Sequence, residues 1–156
     1  MRPERVRVRV TRLAHATGLS LPNYATTGSA GADICAAVES ELVLAPGARA
    51  AVPTGLCVEL PPGYEIQVRP RSGLALRDGI GLLNAPGTID ADYRGEIKVI
   101  VVNHGEGNAT IRRGDRIAQL VVAPVAAGEF EEVERLAPSE RGESGFGSTG
   151  VRESSV

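Results

Sequence analysis

Glu96-Ile97-Lys98-Val99-Ile100-Val101-Val102-Asn103 is the run that decides the fold. From Ile97 to Val102 it is apolar almost without interruption and rich in β-branched side chains, which predicts a strand covered on both faces. Working outward, shorter β-branched or alternating runs lie at residues 6–13, 42–44, 50–60, 64–68, 109–111 and 117–125. Nineteen glycines and ten prolines break the chain at short intervals, leaving little room for long helices. Many short strands separated by turns predict an all-β sandwich or barrel.

One segment departs from this pattern. Ser72 is suited to cap a short helix over Gly73-Leu74-Ala75-Leu76-Arg77, closed by the turn dipeptide Asp78-Gly79. Arg69-Pro70-Arg71 precedes it, so backbone N–H groups, a hydroxyl and an arginine converge where an anion would bind.

At 156 residues the chain is one domain by length. No apolar stretch is long enough to span a bilayer and no signal-peptide pattern opens the sequence, so the expected location is cytoplasmic and away from membranes. The alternating Arg5-Val6-Arg7-Val8-Arg9-Val10 reads as a strand with one charged, solvated face; with a net charge of −2, a nucleic-acid polymer is not an expected partner. The single lysine, Lys98, follows Glu96-Ile97 without a glycine-rich approach and excludes a Walker A loop. Cys35 and Cys57 read as small buried hydrophobes, and neither His15 nor His104 has a neighbouring ligand pattern, so zinc chemistry is not expected.

Two polar segments carry the chemistry. Asn84-Ala85-Pro86-Gly87-Thr88-Ile89-Asp90-Ala91-Asp92-Tyr93-Arg94-Gly95-Glu96 reads as a hairpin, and its Asn, Thr, Tyr and Arg exceed what turn geometry requires. Such a hairpin can present backbone donors and acceptors to a pyrimidine. Arg141-Gly142-Glu143-Ser144-Gly145-Phe146-Gly147-Ser148-Thr149-Gly150 holds four glycines in ten residues and cannot fold alone. Its arginine and hydroxyls suit phosphate oxygens and its ring suits a base, so it reads as a lid over a nucleotide. The formal G-x-G-x-x-G match inside it lacks the strand and helix that a dinucleotide site requires.

Together, Ala30-Gly31-Ala32-Asp33-Ile34, Pro70-Arg71-Ser72-Gly73-Leu74-Ala75, the stretch from Gly87 to Ile97, Arg113-Gly114-Asp115-Arg116-Ile117-Ala118-Gln119-Leu120, and the segment from Arg141 to Gly150 resemble the five ordered motifs of the trimeric dUTP diphosphatases. The resemblance implies a distorted β-barrel or jelly roll with one short helix, assembled as a homotrimer with shared active sites. It places a β-rich domain at residues 1–137 and a flexible arm at 138–156. It implies hydrolysis of dUTP to dUMP and pyrophosphate, which limits uracil incorporation into DNA and supplies dUMP for thymidylate synthesis. It also implies a Mg²⁺ cofactor held mainly by the triphosphate oxygens and water, with no direct protein ligand.

By the same resemblance, Asp90 activates the water and Tyr93 lies against the deoxyribose. Asn84 and backbone groups of the hairpin up to about Val99, with Gly87, Thr88, Ile89 and Lys98 among its residues, read uracil. Arg71, Ser72, Gly73 and Gln119 hold phosphates, joined by Arg141, Gly147, Ser148 and Thr149 from the arm, while Phe146 stacks on the base. Asp115 either pairs with Arg71 or serves the site directly, and Asp33 either forms a structural ion pair or orders the region near metal-bound waters. Two other readings share the scaffold: a dCTP deaminase-like enzyme, and a non-catalytic nucleotide-sensing module.

Overall fold

The computed structural model describes residues 5–145. The chain divides into two compact units, Met1–Ala126 and Ala127–Val156, a boundary that precedes the one drawn from the sequence at 137/138. The first unit carries eleven strands among the described residues: β1 (Arg9–Arg12), β2 (Asn23–Tyr24), β3 (Ala32–Cys35), β4 (Leu42–Leu44), β5 (Arg49–Glu59), β6 (Tyr64–Arg69), then β7 (Ile80–Leu82), β8 (Gly87–Ile89), β9 (Glu96–Asn103), β10 (Ala109–Ile111) and β11 (Arg116–Pro124). The helix α1 spans Ser72–Asp78, and a single 3-10 turn spans Ala14–Ala16.

The strands form three open sheets, ordered β1-β5-β9-β7, β10-β4 and β2-β3-β11-β6-β8; every strand pair is antiparallel. The all-β class with one short helix holds, and the sheets do not close on themselves into a barrel. The core lies between the sheets: Val52, Val58, Ile97, Val99 and Val101 of one meet Ile34, Ile66, Val68, Ile117 and Leu120 of another in a single buried cluster. At ~25 cal/mol per Å² of apolar surface, such fully buried aliphatic side chains each contribute roughly 1.5–3 kcal/mol relative to exposure. β9 is an inner strand of its sheet, but it is covered on both faces only from Val101 to Asn103; before that Ile97 and Val99 are almost wholly buried while Lys98 is exposed and Ile100 half-buried, so one face there is open.

The polar segment at 84–96 is not a hairpin. β8 joins β6 in the five-stranded sheet, pairing Ile89 with Ile66 and Gly87 with Val68, while β9 joins β5 and β7 in the other. Residues 90–95 cross from one sheet to the next. β8 is the terminal strand of its sheet, so one of its backbone edges has no strand partner among the described residues.

Arg71, not Ser72, is the N-cap of α1: its backbone is extended (φ −103°, ψ 126°) and its carbonyl accepts the Ala75 N–H at 3.0 Å. The Arg71 side chain makes no capping hydrogen bond and turns instead to Asp33. Its end is glycine-dependent, because Gly79 sits at φ 68° and a Cβ there would press on the Gly105 backbone. In the second unit, the described residues hold no regular element; Arg141 Nε donates to the Ser144 carbonyl at 2.8 Å.

Candidate active site

Two groups of the residues predicted from sequence gather in the first unit. Asn84, Gly87, Thr88, Ile89, Asp90, Tyr93 and Lys98 all line one cavity of about 510 Å³, with Val68, Ile97 and Val99 among its apolar walls. Residues of β8, the terminal strand of its sheet, and of β9 line it together with the exposed Asp90. Gly87 permits the close approach here: a Cβ at that position would lie 3.2 Å from Asn84 Nδ2 and 3.3 Å from Val68 Cβ. Tyr93 closes the crossing between the sheets, its hydroxyl donating to the Glu96 carbonyl at 3.0 Å and its N–H to the Asp90 carbonyl at 3.1 Å.

The second group is built on Asp33. β3 and β6 flank β11, setting Gln119 opposite Asp33 on one side and Arg69 on the other. Arg71 Nε donates to Asp33 Oδ1 at 2.9 Å, and Arg116 Nη1 donates to Oδ2 at 3.0 Å. Both oxygens of Asp33 are therefore engaged by guanidinium groups, and the carboxylate fixes Arg71 beside the exposed Ser72 and Gly73. Asp115 does not pair with Arg71; its carboxylate accepts the Arg112 N–H at 2.7 Å and shapes the turn before β11. Gly31 lies against Gln119, where a Cβ would sit 2.9 Å from the amide oxygen.

Arg71 and Asp115 line a second, larger cavity of about 990 Å³, and no residue lines both cavities. Arg141 belongs to the second unit. Phe146, Gly147, Ser148 and Thr149 lie outside the described residues. Among the described residues no group of three or more His, Cys, Asp or Glu side chains could hold a metal ion, and no helix is long and apolar enough to cross a membrane.

Glu96 and His15 are functional-site neighbours that sequence reasoning missed. Glu96 lines the smaller cavity, and its Oε1 is 2.7 Å from His15 Nε2 across 81 positions of sequence. Burial works against its charge, yet hydrogen bonds from His15 and the Gly55 N–H, with the charges of His15 and Lys98, hold its carboxyl below the usual range.

The dUTPase family model matches residues 18–150. A deoxyuridine 5'-triphosphate nucleotidohydrolase of Anaplasma marginale is 58% identical over 146 residues, covering 94% of this chain and 99% of its own. Among solved structures, a mutant dUTPase of Staphylococcus bacteriophage 80alpha with dUpNHpp aligns at a TM-score of 0.84 and 29% identity, covering 93% of this chain and 99% of that one. A mutant dUTPase of phage phi11 of S. aureus, described for the coordination of a structural Mg(II) ion, aligns at a TM-score of 0.75 and 25% identity over 85% of this chain and 99% of that one.

Proposed function

Because the chain belongs to the dUTPase family, hydrolases acting on a nucleoside triphosphate, we propose that it cleaves dUTP to dUMP and pyrophosphate by in-line attack of water on the α-phosphorus. The observation that carries this reading is the 510 Å³ cavity, which collects a carboxylate, a tyrosine, an asparagine and residues of a terminal strand around one space. The free edge of β8 offers alternating N–H and C=O groups to the uracil edge, with Asn84 beside them and Lys98 at the cavity wall. Narrow walls at Val68 and Gly87 leave little room for a 5-methyl group. Asp90 orients the water and takes its proton, a role worth roughly 10²- to 10⁴-fold in rate. Tyr93 lies against the sugar and excludes a 2′-hydroxyl.

Arg71, Ser72, Gly73 and Gln119 hold the phosphate oxygens, with Asp33 holding Arg71. Arg141, Phe146, Gly147, Ser148 and Thr149 come over the bound nucleotide with the arm at 138–156. One substrate must meet the base-reading cavity and the phosphate-binding group together, yet in a single chain Arg71 lines the larger cavity and none of Arg71, Ser72, Gly73 and Gln119 lines the smaller one. Active sites shared between copies of a homotrimer satisfy both requirements.

Mg²⁺ fits the triphosphate and water better than a protein cage, since both Asp33 oxygens are occupied and no carboxylate cluster is present among the described residues. When bound, the ion neutralises phosphate charge. The phage relative bound to dUpNHpp, a dUTP analogue, supports the substrate. The product dUMP feeds thymidylate synthesis, and removing dUTP limits uracil incorporation into DNA. The family assignment sets aside the dCTP deaminase-like reading.

The test is Asp90→Asn, which keeps shape and hydrogen bonding but removes the proton acceptor. Affinity for a non-hydrolysable dUTP analogue should survive, while single-turnover cleavage falls by about two to four orders of magnitude. Turnover within threefold of wild type would remove Asp90 from the mechanism.

A further inference from the structure

Glu96 sits where the β5–β9 ladder is interrupted. Pro53 faces Lys98 and pairing resumes only at Cys57 opposite Glu96, so Thr54, Gly55 and Leu56 bulge out against Ile97. The bulge would leave polar groups unpaired, and side chains supply the partners. Thr54 Oγ1 donates to the Ile97 carbonyl at 2.7 Å, and Glu96 Oε1 accepts the Gly55 N–H at 2.8 Å. Gly55 is at φ 64°, and a Cβ on it would collide with Ala16, a wholly buried residue of the 3-10 turn.

That turn places His15 Nε2 on the same Glu96 oxygen. It is itself anchored, because Arg113 donates to the carbonyls of His15 and Thr17, Arg12 donates to that of Ala16, and the Leu13 N–H donates to Gly55. Glu96 thus ties three segments together through one carboxylate, while its backbone carbonyl receives the Tyr93 hydroxyl. Tyr93 is 45% exposed, so packing alone does not fix its ring. What remains is the hydroxyl's bond to Glu96 and the absence of a side chain at Gly95, where a Cβ would run into that hydroxyl.

We propose that the His15–Glu96 pair is a positioning unit that fixes the Tyr93 ring and thereby sets the discrimination between deoxyribose and ribose triphosphates. This rests on the reading of Tyr93 as the group that excludes the 2′-hydroxyl. Glu96 lines the smaller cavity and His15 does not, and the role assigned to both is exerted through the backbone that receives the tyrosine hydroxyl.

The experiment measures kcat/KM for UTP and for dUTP with the full-length enzyme in wild type, Tyr93→Ala, Glu96→Ala, His15→Ala, Glu96→Gln and the Tyr93→Ala/Glu96→Ala double variant. Glu96→Ala should raise the UTP to dUTP ratio about threefold to tenfold, the scale on which one hydrogen bond governs orientation. His15→Ala should raise it in the same direction by less. Glu96→Gln should stay within about twofold of wild type, because its amide oxygen still accepts from Gly55 and His15. In the double variant Glu96→Ala should add nothing to Tyr93→Ala, as expected for residues that act through one another.

Glu96→Ala lowering both activities in parallel, with the ratio fixed, would overturn the inference and leave the Tyr93 reading intact. A ratio shift that persists in the double variant would also overturn it. If Tyr93→Ala itself leaves the ratio unchanged, the sugar reading fails and the inference fails with it. Should Glu96→Ala not fold, His15→Ala carries the same comparison, and an unchanged ratio there refutes the proposal.

Discussion

Replacing Asp33 with asparagine separates charge from shape at the group that holds Arg71. The native carboxylate accepts three guanidinium N–H groups: Arg71 Nε at 2.9 Å, Arg71 Nη2 at 3.4 Å and Arg116 Nη1 at 3.0 Å. An amide has one acceptor oxygen, so whichever way it turns, its NH₂ faces a donor. If the oxygen stays with Arg71 Nε, the long bond from Arg71 Nη2 and the bond from Arg116 are both broken. The Arg116 side chain is 57% exposed, which limits its share to about 0–1 kcal/mol.

The Arg71 pair is better shielded, its side chains being 24% and 12% exposed. Weakening a charge-assisted bond there costs about 1.5–3 kcal/mol. A total near 2 kcal/mol corresponds to a fall in Tm of about 4–8 °C for a chain of this length. Melting of wild type and variant at one fixed protein concentration gives that number, since association shifts Tm by mass action. Freed from Asp33, Arg71 should also hold the triphosphate less well, raising KM for dUTP while leaving kcat closer to wild type. A Tm change below about 1 °C with KM unaltered would show that Asp33 does not organise Arg71.

Two further outcomes follow from the same structure. The Glu96 carboxyl is held below its ordinary value of 4.5, so its contribution to stability is complete above that pH and is lost as pH falls through the lower folded-state value. The Tm advantage of wild type over Glu96→Gln should therefore be constant near neutrality and shrink below about pH 4.5; an advantage unchanged down to pH 3 would contradict the assignment. Deleting residues 139–156 should leave Tm nearly unchanged, because the last strand ends at Pro124 and the first unit at Ala126, yet should lower kcat for dUTP. Full activity in the truncated protein would remove the arm from the reaction.

Strands at 42–44, 96–103 and 109–111 stand where the residue pattern puts them, because β-branched runs bounded by Gly, Pro or Asn carry their own limits. The N-terminal run begins pairing only at Arg9. Its partner strand stops at Glu59, and the next residues run into Pro61-Pro62, so residues 5–8 face no ladder. β2, β3, β7 and β8 are illegible in the sequence because two to four residues, with Gly81 and Gly87 among them, carry no period.

The crossing of residues 90–95 between sheets reads as a hairpin in the sequence because proximity along the chain favours pairing neighbours, whereas burial of Ile89 against Ile66 assigns β8 to the other sheet. At the site, the residues from Asn84 to Lys98 are legible because they are contiguous. Asp33–Arg71 and His15–Glu96 are not, since pairs 38 and 81 positions apart leave no local signal.

The central claim is water attack on the α-phosphorus of dUTP, and isotope placement addresses it directly. With Mg²⁺ in H₂¹⁸O, mass spectrometry of the products should find one ¹⁸O in the phosphate of dUMP and none in pyrophosphate. Label in pyrophosphate, or formation of dUDP and inorganic phosphate, would place the attack elsewhere and contradict the account.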